Sequence, residues 1–423
     1  MTTTENWLIT PSDRAVLRTL ATRLMELAHH PDNLARRQRW LDHNALRNTG
    51  PMILAESCGL YQTNELTFTA ELRCTEPWAR EVETTLRGRL WDAEVLADDL
   101  VVDPFFNTPW QVQISDYGVA IEHTTGTTAE HMGSYHWVAP LKNLQEDFAL
   151  LKPRTFSVDR PASLARLAHL SEVFGPVMPV RLRGSFWWSV GLSATLAKLV
   201  GLEELMLYMY DDPAGLHRLM AFLRDDQLAF ARWLERENLL TLNNEADWIG
   251  SGSRGHTTEL PQPDYTPGGP VRLRDLWVLS ESQETVGVGP ELFAEFIFPY
   301  QRAVIQEFGL CYYGCCEPLH TRWPVLQQLP NLRKVSISPW CDEAYMAAHL
   351  GNKYIYSRKP NPTLISTDTF DETAIRADLR KTLRTARGCH VELIMKDVHT
   401  VAHQPQRLAR WVQLARETIA ECT

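Results

Sequence analysis

The sequence predicts an α/β protein of the (β/α)8, TIM-barrel type, on three observations. Eight short, mostly apolar runs punctuate the chain: PMILAES, VRLRGS, LLTLNN, LWVLSES, LCYYGCC, KVSISPWC, YIYSRKP and HVELIMKD. A helical or helix-containing stretch follows nearly every one, and regular alternation of strand and helix implies a parallel sheet. Nearly every run ends in polar or metal-capable residues, where a barrel of this type carries its chemistry.

The elements follow in order. Residues 1–50 read as a helical extension: Ser12-Asp13 offers an N-cap, and Val16, Leu17, Leu20, Leu24 and Leu27 recur at helical spacing over 11–50. Asn48-Thr49-Gly50-Pro51 breaks it, and the barrel is expected over 51–423. Residues 65–96 read as mostly helical, with Glu and Arg spaced for ion pairs on an exposed face. From Asp98 to about Val138 the pattern alternates and contains turn formers, which predicts an antiparallel β-rich insertion after the first strand. His123, His131 and His136 fall there with no organising thiols or carboxylates and are read as surface or packing residues. From about residue 150 the alternation is regular, with helices expected at 161–173, 190–210, 213–236, from Pro290, and at 321–329, 343–350, 371–387 and 404–421.

Composition narrows the function classes. The chain has 423 residues, 44% hydrophobic and 22% charged, enough for a large core in one domain with insertions. A formal net charge of -10 without a basic run argues against nucleic acid as a partner. No apolar stretch is long enough to span a membrane. The first residues, MTTTENWLITPSDR, do not read as a signal peptide, and eight scattered cysteines suit reduced thiols in a cytoplasm better than a disulfide framework. A small-molecule substrate is expected, and a homodimer is left open.

The stretch richest in chemistry is CYYGCCEPLH, from Cys311 to His320. An aromatic, apolar run reads as a buried strand, and Glu317-Pro318 ends it in a turn. Cys315, Cys316, Glu317 and His320 cluster at that turn. Thiolate and imidazole together suit zinc, although a buried Cys is also a common packing residue.

The other strand ends supply the remaining candidates. Glu281, Asp247 and Glu317 are candidate catalytic groups, because burial would raise a carboxyl's pKa and let it donate a proton. Arg181, Arg183 and Arg358 could clamp a carboxylate or phosphate, with Asn244, Trp340 and Lys359 beside the substrate; structural ion pairing is the competing role for each arginine. Cys315, Cys316 and His399 are the candidate metal ligands, with His399 capping a helix as the alternative.

The stretches GSGSRGHTTELP, SESQETVGVGPELFAEFIFPYQ, YYGCCEPLHTRWP, NLRKVSISPWCD and YIYSRKPNP resemble the uroporphyrinogen decarboxylase superfamily, over roughly residues 170–420. The resemblance implies a (β/α)8 barrel and one of two activities: decarboxylation without metal or cofactor, or zinc-dependent methyl transfer between a corrinoid and a thiol. In the methyltransferase branch a His-x-Cys at the fifth strand and a later Cys hold zinc. Matched strand by strand, Cys316 takes the first Cys position, Gly314 stands in place of the His, His399 replaces the final Cys, and Cys315 is additional. The resemblance therefore implies zinc on Cys316 and His399 with Cys315, Glu317 or Glu281, and a separate corrinoid protein as methyl carrier. The decarboxylase branch's arginine-rich motif is not matched by PMILAES. The acidic strand ends (Glu56, Glu245, Asp247, Glu281, Glu284, Glu317, Asp342) would also repel an eight-carboxylate tetrapyrrole. A zinc-dependent methyltransferase is the expected function; a metal-free decarboxylase or other carboxy-lyase acting on a small carboxylated substrate is the alternative. A non-enzymatic tetrapyrrole or corrinoid binder is a third reading, without a permanently bound corrinoid because no Asp-x-His-x-x-Gly signature is present.

Overall fold

The computed structural model describes residues 7–125 and 135–422. His131 lies outside them. The N-terminal region forms two helices rather than one, Pro11–His29 and Pro31–Asn44. The break is at His30, held extended at φ -62° and ψ 138°, because a residue before proline is disfavoured in the helical region. The first helix is capped by Thr10, which accepts from the Asp13 N–H. It buries Leu17, Ala21, Leu24 and Ala28 in a small core shared with Val82 and Leu86 of helix Pro77–Trp91 and Leu170 and Phe174 of helix Arg160–Phe174.

Fourteen strands occur among the described residues: β1 (Met52–Ala55), β2 (Phe106–Pro109), β3 (Val112–Ile114), β4 (Glu122–Thr125), β5 (Tyr135–Val138), β6 (Phe156–Val158), β7 (Val180–Arg183), β8 (Trp248–Gly250), β9 (Ser253–Arg254), β10 (Trp277–Ser280), β11 (Leu310–Tyr313), β12 (Leu332–Ile337), β13 (Ile355–Arg358) and β14 (His390–Met395). Six make one parallel sheet in the order β1-β14-β13-β12-β11-β10. β1, β10, β11 and β13 are buried at every position, as parallel strands covered on both faces should be.

The expected eight-stranded closure is not what the described residues form. LLTLNN takes no strand conformation, and VRLRGS pairs as β7 with β2 in a separate two-stranded parallel unit. Residues 98–138 hold β2 to β5. There β4 and β5 form the antiparallel hairpin expected, β3 pairs with β6, and β2 is the parallel exception.

Side chains satisfy both edges of the six-stranded sheet. At β1, the N–H of Ile53 donates to Asp99 at 2.8 Å and that of Ala55 to Asp98 at 2.9 Å. At β10, the Asn243 amide accepts from the Trp277 N–H at 2.9 Å and donates to the Trp277 carbonyl at 3.0 Å. These groups meet the backbone hydrogen bonds that neighbouring strands would have supplied, so the edges are not left unpaired.

The hairpin β8–β9 packs closely against the six-stranded sheet, at Leu279, Tyr312 and Ile394. Gly250 and Gly252 both have positive φ, 154° and 88°. A Cβ at Gly250 would lie 2.8 Å from the Tyr312 ring, and one at Gly252 would lie 2.5 Å from Ile394 Cγ2. Only glycine lets the hairpin come this close. Below the hairpin, Ser253 donates to Glu392 at 2.9 Å, and Lys334 reaches Ser253 at 2.7 Å and Glu392 at 3.2 Å. This ion pair is fully buried.

Candidate functional site

The C-terminal ends of β10, β11 and β14 bring the reactive groups together. β11 ends at Gly314, whose φ of 100° turns the chain sharply; a Cβ there would sit 2.6 Å from Leu319. The turn sets Cys315 inside and Cys316 outside: Cys315 is buried and Cys316 exposed. Cys315 is held at both backbone ends. Its N–H donates to Glu317 at 2.9 Å, and its carbonyl accepts from Ser336 at 2.9 Å. Glu317 also accepts from the Ser282 N–H at 2.9 Å, so this carboxylate ties the β10 and β11 ends to each other.

The Cys315 sulfur faces two groups. Cys316 Sγ is 3.5 Å away and Lys396 Nζ, just past β14, is 3.4 Å away. The same ammonium stands 3.1 Å from Asp397 and 3.4 Å from Ser251. Asp397 in turn lies 3.7 Å from Cys316 Sγ. The hydrogen bond from Cys316, together with the nearby ammonium, holds the Cys315 thiol below its ordinary pKa, against the opposing effect of burial. Cys316 moves up, because it donates to Cys315 and is partly desolvated. Lys396 stays protonated: burial opposes its charge, and Cys315 and Asp397 outweigh that effect.

Two candidate carboxyls lie beside this centre. Burial raises Glu281 well above a normal carboxylate, and Glu317, Glu284 and Cys315 push it the same way. Its backbone is fixed by Gln301, which donates to the Glu281 carbonyl at 2.9 Å and itself accepts from Tyr313 at 2.7 Å. Glu317 is raised by burial, with its backbone hydrogen bonds acting in the other direction.

The other expected site residues are placed elsewhere. Arg181 and Arg183 pair with Glu245 at 3.3 and 3.4 Å, and Arg183 also holds Asp247, which burial raises. These arginines and Asn244 line a cavity of about 640 Å³ that neither Cys315 nor Cys316 touches. Asn244 spends its amide on the Leu260 carbonyl, at 2.7 Å. Arg358 is not the expected substrate clamp: it is buried and engaged by Glu343 at 3.1 Å and Asp378 at 3.4 Å. Lys359 likewise points inward, to Tyr312 at 2.7 Å and the Ser357 carbonyl at 2.8 Å, and burial lowers it to about 7. Trp340 is an exposed surface residue.

The residues present do not fit the expected zinc. Among the described residues no group of three or more His, Cys, Asp or Glu side chains is arranged to hold a metal. His399 does not complete a set with the two sulfurs. Its Nδ1 is buried without a hydrogen-bond partner, against helix Cys58–Gln62, where a Cβ at Gly59 would lie 3.2 Å away. A protonated lysine already bridges Cys315 and Asp397, so the cation beside the thiolate is supplied by the chain itself.

Sequence reasoning placed Lys396 and Asp397 at a strand end without giving them a role. The signal it lacked is conformational: Asp397 adopts φ 57°, uncommon for a non-glycine residue. That bend turns the chain just past Lys396, whose ammonium meets Cys315.

The fold and the site together define an α/β protein with a cysteine–lysine centre at the C-terminal mouth of a parallel sheet. No family model matches the chain, and no curated protein matches it. Among solved structures it is similar to a methyltransferase from Methanosarcina mazei, at 11% identity and a TM-score of 0.48, with 90% of this chain and 98% of that chain covered.

Proposed function

We propose that the protein is a methyl-group transferase in which Cys315 is the nucleophile. The observation that carries this reading is the position of the Cys315 sulfur, 3.4 Å from an ammonium and 3.5 Å from a second thiol. The ammonium and the second thiol lower this sulfur's pKa and so favour the thiolate, the form that attacks carbon.

In the first half-reaction the thiolate attacks the methyl carbon of a donor CH3–X. The S–C bond forms, the C–X electron pair leaves with X, and the proton of Glu281 passes to X. In the second half an acceptor H–Nu attacks the same carbon. The S–C pair returns to Cys315 as a thiolate beside Lys396, and the acceptor's proton restores Glu281. The sum is CH3–X + H–Nu → H–X + CH3–Nu. A donor whose leaving group takes up a proton fits this balance; with a separate corrinoid protein as donor the electron pair would stay on the carrier, Glu281 would keep its proton and the acceptor's proton would go to solvent. No step here runs through zinc.

The carboxy-lyase alternative, as read from the sequence, assigns the substrate carboxylate to Arg181, Arg183 and Arg358. Arg181, Arg183 and Arg358 are instead engaged by Glu245, Asp247, Glu343 and Asp378, which favours transfer over that reading. The test is peptide mass spectrometry after incubation with methylcobalamin and no acceptor. Transfer predicts one methyl group on Cys315 and none on the Cys315→Ser protein. Methylation spread over exposed thiols, with Cys315 spared, would reject the proposal.

A further inference from the structure

A second cavity, of about 350 Å³, opens at the gap where LLTLNN makes no strand. Trp187, Trp188 and Trp248 line it, together with Asp103, Arg254 and Asn107. Trp188 and Trp248 lie with ring centroids 6.3 Å apart and their planes tilted by 32°. Trp188 is 47% exposed. Indole faces attract cations, most strongly where water is partly excluded.

The charged groups in the wall are not spent on each other. Asp247, which also lines the cavity, is taken by Arg183. Asp103 and Arg254 form no ion pair among the described residues. The Asp103 carboxylate makes no hydrogen bond among them, and Arg254 Nε is buried without a partner. Arg254 stands opposite Trp248 across the β8–β9 hairpin, and directly paired residues of two antiparallel strands project on the same side. Among the described residues Asp103 makes no ion pair, although the charges of Arg89 and Arg183 act on it, and the Arg254 guanidinium is held only by a 3.5 Å hydrogen bond from Nη1 to the Ala246 carbonyl, beside the two indoles.

We infer that this cavity binds a small zwitterion, an alkylated ammonium carboxylate, with its cationic head at Trp188 and Trp248 near Asp103 and its carboxylate on Arg254. Side chains connect the cavity wall to the reactive centre: the Trp248 indole N–H donates to Glu56 at 3.0 Å, just past β1, and Glu56 is among the anions that raise Lys396. Neither Cys315 nor Cys316 lines this cavity, and the ligand's binding does not rest on the proposed function.

Titration calorimetry on the full chain tests this with three probes: glycine betaine, choline, which lacks the carboxylate, and 3,3-dimethylbutanoate, which keeps the shape and carboxylate without the ammonium charge. The expected result is that glycine betaine binds about ten-fold tighter than either. Trp188→Ala, at an exposed site, weakens betaine by about ten-fold without changing the melting temperature, and Arg254→Met removes the preference for betaine over choline. Cys315→Ser binds as wild type, so a failure of methyl transfer is distinguishable from a failure here. Equal affinity for betaine and its isostere without the ammonium charge, or no saturable binding of any probe, would overturn the inference.

Discussion

Lys396 Nζ stands 3.4 Å from Cys315 Sγ, and the two residues come from the ends of β14 and β11, 81 positions apart in sequence. The pair sets an ammonium against a sulfur whose pKa it helps to lower, at the C-terminal end of the sheet. From it, and from the buried groups beneath it, follow expectations that can be measured.

Glu281 is proposed to move the proton that leaves with X. Glu281→Gln keeps the shape and removes the acid. Transfer should slow about 100-fold or more, within the range for loss of a general acid. Alkylation of Cys315 by iodoacetamide needs no proton from this group and should be undiminished. Parallel loss of both activities would show that the change acted on the thiol or the fold.

The Lys334–Glu392 pair holds the hairpin β8–β9 from below and is fully buried. Burial lowers Lys334 to about 8. Burial acts against the charge of Glu392 as well, and Lys334 and Lys359 override it, bringing the carboxyl to about 2. Lys334→Met leaves that carboxylate without its main partner and should cost about 3–5 kcal/mol in urea unfolding. The double variant Lys334→Met, Glu392→Gln removes the stranded charge and should recover part of the loss. Strict additivity of the two single changes would argue against the pairing.

Lys359 predicts a pH dependence of stability. Burial brings its folded pKa to about 7, whereas an unfolded lysine titrates near about 10.4. Between those values the unfolded chain binds more protons than the folded one, so this group's contribution to stability rises with pH. The difference in melting temperature between wild type and Lys359→Met, followed from pH 6 to 9, should shift in favour of wild type above about 7. A difference independent of pH would mean that the amine is charged throughout.

Gly252→Ala tests the hairpin's close approach. At φ 88°, with Ile394 only 2.5 Å from the new Cβ, the change both strains the backbone and displaces the hairpin. A loss of about 2 kcal/mol or more is expected, with weaker betaine binding because Trp248 and Arg254 move with it. Gly268, at φ 80° with open space around it, is the control: its alanine variant carries the backbone strain without the clash.

The parallel α/β pattern was legible because strand runs such as LCYYGCC and HVELIMKD are apolar, short and followed by helices. Helix 343–350 was placed to the residue, since Asp342 caps it and Gly351 ends it. The closure of the sheet was not legible. LLTLNN has a strand's composition, yet Asn243 satisfies the β10 edge with its side chain, and Asp98 and Asp99 do the same at β1. Nothing in a run of residue types distinguishes an amide that borders a strand from one that faces substrate. The reactive turn was found because three cysteines crowd one strand end. The ligand set came from strand matching, which locates a residue but not its direction: His399 lies against the helix at Gly59, and Lys396 stands beside the sulfur.

The central claim, that the chain's own ammonium rather than a metal sustains the Cys315 thiolate, is tested most directly by the pH profile of iodoacetamide alkylation at Cys315. It is followed by peptide mass spectrometry before and after exhaustive chelation. The account predicts an apparent pKa below the usual thiol value of about 8.5, unmoved by chelation and raised by about one unit or more in Lys396→Met. A profile that chelation shifts to that of a free thiol, or that Lys396→Met leaves in place, would contradict it.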